Sequence, residues 1–298
     1  MRNCWLTDGW LYPADILPLG HLLKALYTSS LRTLRMSRRR FHTERTALID
    51  ADHLAYQQAA AAHADQSDGH EMGERIIALL HAYTRLACCT TFITVFSCDR
   101  SDNFRRDVYA PYKTNRTAEP PAMLELAQKL LADAGPTISR PKIEADDIMG
   151  IAQTGGKIPH PVIVSMDKDM RSIPGLHLNP DKDDFPVYIS EYDADHAFFM
   201  QWLTGDATDG YPGIKGIGPA KARKILNTAS DSTAPIVGWS EVCLQSYCDA
   251  GKTLDEALQQ AQCARILRIE DWDGEAKRPI LWTPPILNPE VLWEAVSA

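Results

Sequence analysis

The chain has 298 residues, 45% hydrophobic and 23% charged, with a net charge of −8. That is a globular composition, long enough to bury one large core or two smaller ones. It holds no apolar run of the ~20 residues that span a bilayer, and its seven cysteines form no C-x-x-C pair, so they read as reduced intracellular thiols rather than a disulfide framework.

In chain order, residues 1–45 stand apart. They carry eight Lys or Arg against Asp8, Asp15 and Glu44. Their Arg38-Arg39-Arg40 cluster follows the apolar part, the reverse of a secretory signal. The stretch reads as an over-extended start before Met36 or a disordered basic tail, and an organellar transit segment is the alternative. From Thr46 short apolar runs alternate with amphipathic helices. Ala47-Leu48-Ile49 ends at Asp50, and residues 71–87 carry Ile76, Ile77, Leu79, Leu80 and Tyr83 at helical spacing. Phe92-Ile93-Thr94-Val95-Phe96 reads as a strand leading to Asp99, and residues 122–134 as a helix. Pro161-Val162-Ile163-Val164-Ser165 reads as a strand that ends at Asp167.

This alternation predicts an α/β domain over 46–200 with a mostly parallel sheet. In such sheets, sites gather at the carboxyl ends of strands, so Asp50, Asp99 and Asp167 are expected to converge. Residues 201–298 change character, toward glycines, a compact turn and helices.

The negative balance at first argues against a nucleic-acid partner. The acids, however, lie in short strings at the ends of apolar runs: Asp50, Asp99, Glu144-Ala-Asp146-Asp147, Asp167, Asp169, Asp206 and Asp209. Any one string fits a turn or a helix cap. Together they are harder to place without a counter-ion, because two carboxylates ~4 Å apart repel by about 4 kcal/mol at an effective dielectric near 20. Oxygen-only clusters suit Mg²⁺ or Mn²⁺ rather than zinc, and two such ions are a common device for phosphodiester hydrolysis.

Two cationic segments accompany the acids. Residues 100–116 combine Arg100, Arg105, Arg106, Lys113 and Arg116 with Phe104, Tyr109 and Tyr112. Cations of this kind meet phosphates while rings stack on unpaired bases; a solvated loop with a few buried rings is the plainer alternative. Residues 213–224 bring Gly213, Lys215, Gly216, Gly218, Pro219, Lys221, Arg223 and Lys224 to the start of a helix. Such a turn can present amides to a backbone phosphate without reading sequence. It lacks the Gly-Lys-Ser/Thr ending of a Walker A loop.

In order, LIDADHLAYQ, DRSDNFRRDVYAPYKTNR, EADDIMG, VIVSMDKDMRSIPG and GDATDGYPGIKGIGPAKA resemble the flap-endonuclease and 5′→3′ exonuclease family, in particular its short-tailed coliphage members. The tail string ARILRIEDWDGEAKRPILWTP is also similar to the phage proteins, so the likeness spans roughly residues 46–283. The resemblance implies a PIN-like α/β domain and a helical part with a helix–two-turn–helix motif. It implies that Asp50, Asp99, Glu144 and Asp146 serve one metal, with Asp147 nearby, and that Asp167, Asp169, Asp206 and Asp209 serve a second. Lys113 and Arg105 would contact the scissile phosphate, the segment around 100–120 would arch over a free 5′ strand, and K⁺ would sit at the 213–218 turn. Two positions depart from the pattern: Gln57 stands where many cellular members carry arginine, and Gly210 where asparagine is common.

The sequence thus predicts a monomeric, Mg²⁺-dependent 5′→3′ exonuclease or flap endonuclease of a bacterial or phage-infected cytoplasm. Its substrate would be duplex DNA with a 5′ end, nick or flap, or an RNA–DNA hybrid. A non-catalytic DNA-structure-binding relative is the competing reading. A phosphatase using Asp50-Ala-Asp52 is a third, disfavoured because the expected following Thr or Val is missing.

Overall fold

A computed structural model describes residues 44–229 and 235–287. The basic extension, apart from its last two residues, lies outside the described residues. Strand β1 (Thr46–Asp50) is buried along its whole length, as a central parallel strand must be when both sheet faces are covered. It pairs in parallel with β2 (Thr91–Val95) on one side and β4 (Val162–Val164) on the other. Short β3 (Thr137–Ile138) continues beyond β2, and β5 (Gly175–Leu178) beyond β4, both parallel. Antiparallel β6 (Val187–Ile189) closes the far edge. The six-stranded order is β3-β2-β1-β4-β5-β6. The chain leaves β1 toward β2 and later returns to the opposite side through β4, so the switch point lies between β1 and β4. A crevice outside their carboxyl ends is the preferred place for a ligand.

Helices cover both faces. Helix α1 (Ala51–Asp65) starts at Asp50, whose carboxylate accepts the His53 N–H at 3.1 Å. It is alanine-rich with little amphipathic contrast, which is why periodicity does not reveal it. Helix α2 (Gly69–Leu86) is amphipathic and opens on an Asp68/Glu71 capping box. Helix α3 (Phe104–Val108) is a short turn after β2, and α4 (Leu124–Asp133) packs on α1. Helix α5 (Ala145–Thr154) follows Glu144.

Helix α6 (Glu191–Thr204) carries Phe198, Phe199 and Trp202 into an aromatic core shared with Trp239, Tyr247 and Tyr112. Around that core pack α7 (Pro219–Asn227), α8 (Pro235–Asp249) and α9 (Leu254–Ala264). A division at residue 200 therefore falls inside α6. Gly205 and Gly213, both at positive φ, face each other so closely that a Cβ on either would lie 2.3 Å from the other's backbone. Their contact folds the 206–211 loop back, where Asp206 and Tyr211 form a bridge. Among the described residues no helix is long and apolar enough to cross a membrane.

Candidate active site

The parallel register places the ends of β1 and β4 side by side, and with them Asp50 and Asp167. Ser165, just past β4, donates its hydroxyl to Asp50 at 3.0 Å and accepts the Asp167 N–H at 3.1 Å. Asp167 caps the 3-10 turn Lys168–Ser172 by accepting the Asp169 N–H at 2.8 Å. From the other side α5 brings Glu144 at its N-terminal boundary and Asp146 in its first turn. The 206–209 loop brings Asp206 and Asp209.

Electrostatics register this convergence. Burial pushes the Asp146 carboxyl well above the usual carboxylate range, and the charges of Asp167, Asp50 and Glu144 push it further. Burial, with Asp167 and Asp206 nearby, raises Asp169 to about 7. Asp50 is raised to about 6, chiefly by burial. Burial pushes Glu144 upward too, but Lys113 and Arg105 outweigh it and hold this carboxyl down at about 2. Asp50, Glu144, Asp146, Asp167, Asp169 and Asp206 thus form one acidic crevice, with Asp209 on its rim.

Lys113 enters this crevice from the basic stretch. Its backbone is left-handed (φ 54°) and its N–H donates to the Asp209 carbonyl at 2.7 Å. Its ammonium pairs with Glu144 and lies 3.5 Å from Asp209. Arg116 pairs with Asp209 as well, and Asn115 donates to the Ala207 carbonyl at 2.7 Å. The stretch is therefore docked on the 206–209 loop rather than hanging free. Gly210 fits this docking: its φ is +79° and a Cβ would lie 3.2 Å from the Pro111 carbonyl.

Several residues sit elsewhere than the sequence suggests. Asp99 is exposed and caps its own turn, accepting the Ser101 N–H at 3.0 Å. It follows β2 by four residues and lines a cavity with Asp52, Ser97 and Arg100. Asp52, two residues past Asp50 in the first turn of α1, leans to the crevice and accepts the Ser97 N–H at 2.8 Å. Burial raises its carboxyl, and the Glu144 charge adds to the effect. The Asp50-Ala-Asp52 spacing was the available signal for it.

Asp147 is fully buried and is not in the crevice. Its oxygens accept both terminal nitrogens of Arg105 at 2.7 Å. They also accept the N–H groups of Glu144 and Leu267, each at 3.0 Å, which leaves no free acceptor for a metal. Arg105, 2% exposed, also donates to the carbonyls of Cys263 at 3.0 Å and Arg265 at 2.6 Å. It is a pin between α5 and the segment after α9, not a group presented to a phosphate.

Tyr112 is likewise buried, stacked beside Tyr211 with centroids 6.3 Å apart. Its hydroxyl reaches Glu144 at 2.9 Å and Asp209 at 2.8 Å, so it stacks on no base. Tyr109 and Arg106 are half-buried. Gly213 is buried and donates its N–H to Gln260 at 2.9 Å, which removes it from any anion site. Lys215, Gly216, Gly218, Lys221, Arg223 and Lys224 are all exposed. A Cβ on Gly216 or Gly218 would meet no described atom within 4 Å.

As placed, the side chains form no closed cage: among the described residues no group of three or more His, Cys, Asp or Glu is arranged to hold a metal ion. Glu144 and Asp209 are turned toward Lys113, Arg116 and Tyr112. The donor set itself is all oxygen, and burial among acidic neighbours pushes Asp50, Asp146 and Asp169 upward, which fits a hard divalent cation.

A metal-free prediction follows from the shifts. Asp50 at about 6 and Asp169 at about 7 hold protons more tightly folded than at their ordinary 3.8. Folding is then favoured by acid, and stability is lost as pH rises from about 4 through about 7. Glu144 acts in the opposite sense only below its ordinary 4.5, and buried His177, lowered to about 4, offsets part of the loss up to its ordinary 6.5, against the two aspartates and the likewise raised Asp146. In EDTA the melting temperature should fall by on the order of 5 °C between about pH 5 and pH 7.5. Calorimetry showing a rise over that window would contradict the crowding.

The fold and crevice define a class: a PIN-like α/β domain with carboxylates at the switch point of a mostly parallel sheet. Residues 45–178 match the family described as 5′-3′ exonuclease, N-terminal resolvase-like domain. The exodeoxyribonuclease of Enterobacteria phage T3 is 27% identical across 80% of this chain and 92% of that protein. The exonuclease of Escherichia phage T7 is 26% identical across 80% and 93%. A solved structure of T5 5′-exonuclease with bound divalent metal ions (zinc) superposes with a TM-score of 0.51 at 16% identity, covering 75% of this chain and 99% of that one. At that identity the likeness is one of fold. Over residues 45–178 the chain is thus similar to the 5′-3′ exonuclease family, and over most of its length to two phage exonucleases.

Proposed function

We propose that the crevice hydrolyses DNA phosphodiesters from a 5′ end with two divalent cations, Mg²⁺ or Mn²⁺. The convergence of Asp50, Glu144, Asp146 and Asp167 beside the Lys113 ammonium carries this reading. Asp50, Asp52, Glu144 and Asp146 would hold one cation, and Asp167, Asp169, Asp206 and Asp209 the second. Bound there, the cations would supply an activated water and neutralise charge on the attacking and leaving oxygens. Lys113 would exchange its pairing with Glu144 for the scissile phosphate, with Arg116 beside it. Its left-handed backbone, tied to the Asp209 carbonyl, keeps the ammonium at the crevice mouth.

The 215–224 turn and helix would grip the duplex backbone through Lys215, Lys221, Arg223 and Lys224, with K⁺ at the turn's carbonyls. The crystal structure of bacteriophage T5 D15 flap endonuclease with DNA and metal ions (TM-score 0.50, 16% identity) shows that this fold accommodates both in that protein. The free thiols of Cys88, Cys89, Cys98, Cys243, Cys248 and Cys263 accord with an enzyme of the reducing cytoplasm.

Product lengths from 5′-labelled blunt, nicked and flapped duplexes and an RNA–DNA hybrid, with Mg²⁺ and then EDTA, test the reading. Mono- or short oligonucleotides that vanish with EDTA are expected; binding without cleavage would favour a non-catalytic relative. Lys215→Ala should weaken DNA binding alike across sequences and lower the salt slope by about one unit. Sequence-selective loss in filter binding would contradict a backbone grip.

A further inference from the structure

The tail string ARILRIED lies outside the 45–178 family match, yet it bonds α5, the 3-10 turn after β4 and α6. Beyond α9, Arg265, Ile266, Leu267, Arg268 and Asp271 are each at most 7% exposed, while Ile269 and Glu270 face outward. Leu267 N–H binds Asp147 at the start of α5. The Leu267 carbonyl presses so closely on α5 that a Cβ on Gly150 would lie 2.3 Å from it, which accounts for the glycine of EADDIMG. Ile269 N–H binds Thr154 Oγ1 at the far end of the same helix.

Arg268 faces the other way. One terminal nitrogen donates to the Ser172 carbonyl at 2.8 Å and pairs with Asp195 at 2.7 Å. Ser172 ends the 3-10 turn that carries Asp167 and Asp169, and Asp195 lies on α6, which runs into the Asp206–Asp209 loop. These two elements bring like charges together, so repulsion between their carboxylates tends to part them. A buried cation bonded to both elements opposes that separation.

We propose that Arg268 is a positioning residue for the second cation site, holding the 3-10 turn and α6 at the separation at which Asp167, Asp169, Asp206 and Asp209 share one ion. The proposal rests on the two-cation reading above. Its reach is specific: Arg265, in the same segment, pairs with Asp271 and Glu270 and lies over the Phe198 ring of α6, but its side chain does not bond the 3-10 turn, so it does not join the two elements.

Mn²⁺ binding to the full chain, followed by the electron paramagnetic resonance signal of free Mn²⁺, tests it alongside cleavage at graded metal. Wild type should bind two Mn²⁺. Arg268→Met should weaken one of them about tenfold and raise the half-saturating metal for cleavage equally, with kcat at saturating metal within about threefold. Arg268→Lys should recover at least half of the loss. Arg265→Met should lower the melting temperature and leave both Mn²⁺ affinities in place. Should Arg268→Met fail to fold, Asp195→Asn, which keeps an acceptor but loses the charge, should show the same selective loss at about threefold. Two unchanged Mn²⁺ sites in Arg268→Met or, where that does not fold, in Asp195→Asn overturn the proposal, as does an equal shift in Arg265→Met. A wild type that binds no Mn²⁺ overturns the two-cation reading itself, and the proposal with it.

Discussion

Asp167→Asn is expected to slow cleavage at least about a thousandfold while leaving DNA affinity within about tenfold. The substitution is nearly isosteric. Asparagine keeps the oxygen that accepts the Asp169 N–H at 2.8 Å, and the Asp167 N–H still reaches Ser165. What is lost is one negative charge, from the place where it most raises the carboxyl of Asp146 apart from burial. Removing it relieves repulsion, so the metal-free protein should melt at a higher temperature than wild type. Activity and stability then move in opposite directions, as in a site whose charges are crowded for function. Single-turnover cleavage, filter binding and calorimetry on one preparation check all three. A collapse of the circular dichroism signal, or a binding loss as large as the rate loss, would defeat the assignment.

Arg105→Met should destabilise the fold by about 3–5 kcal/mol, because it leaves the buried Asp147 charge without its partner. Arg105 serves that partner through two nitrogens and two backbone carbonyls through the rest of its fork. Lysine has a single nitrogen and cannot reproduce this pattern, so Arg105→Lys should also lose stability. Urea unfolding monitored by Trp202 and Trp239 fluorescence reports the loss. If stability held and only cleavage fell, Arg105 would be the phosphate contact that the family resemblance suggests.

The contrast between these two residues shows what could be read in advance. The strands around Leu48, Thr94 and Ile163 were legible because buried parallel strands are continuous β-branched and apolar runs. So was α2, through its 3.6-residue stripe. Helix α1 was not, because alanine carries little contrast between faces. Strands β3, β5 and β6 are two to four residues long, too short for any period to show. Asp50 ends β1 and Asp167 follows the neighbouring parallel strand β4 by three residues, so strand alternation alone placed them together. Asp99, four positions past β2, is instead exposed, and Asp52 was passed over because the helix that aims it, α1, was not legible.

By itself the sequence determined the parallel sheet, its order of acidic strings and the exposed cationic turn at 215–224, since these depend on neighbours a few positions away. Only the tertiary structure decided which charges face the crevice and which face inward. Asp146 and Asp147 are adjacent, yet a 100° step around the helix turns one toward Asp50 and Asp167 and the other toward Arg105 and Leu267. Leu267 lies 120 positions further along the chain than Asp147. No local pattern records a partner that distant, because what makes a buried charge tolerable is the group that meets it in space.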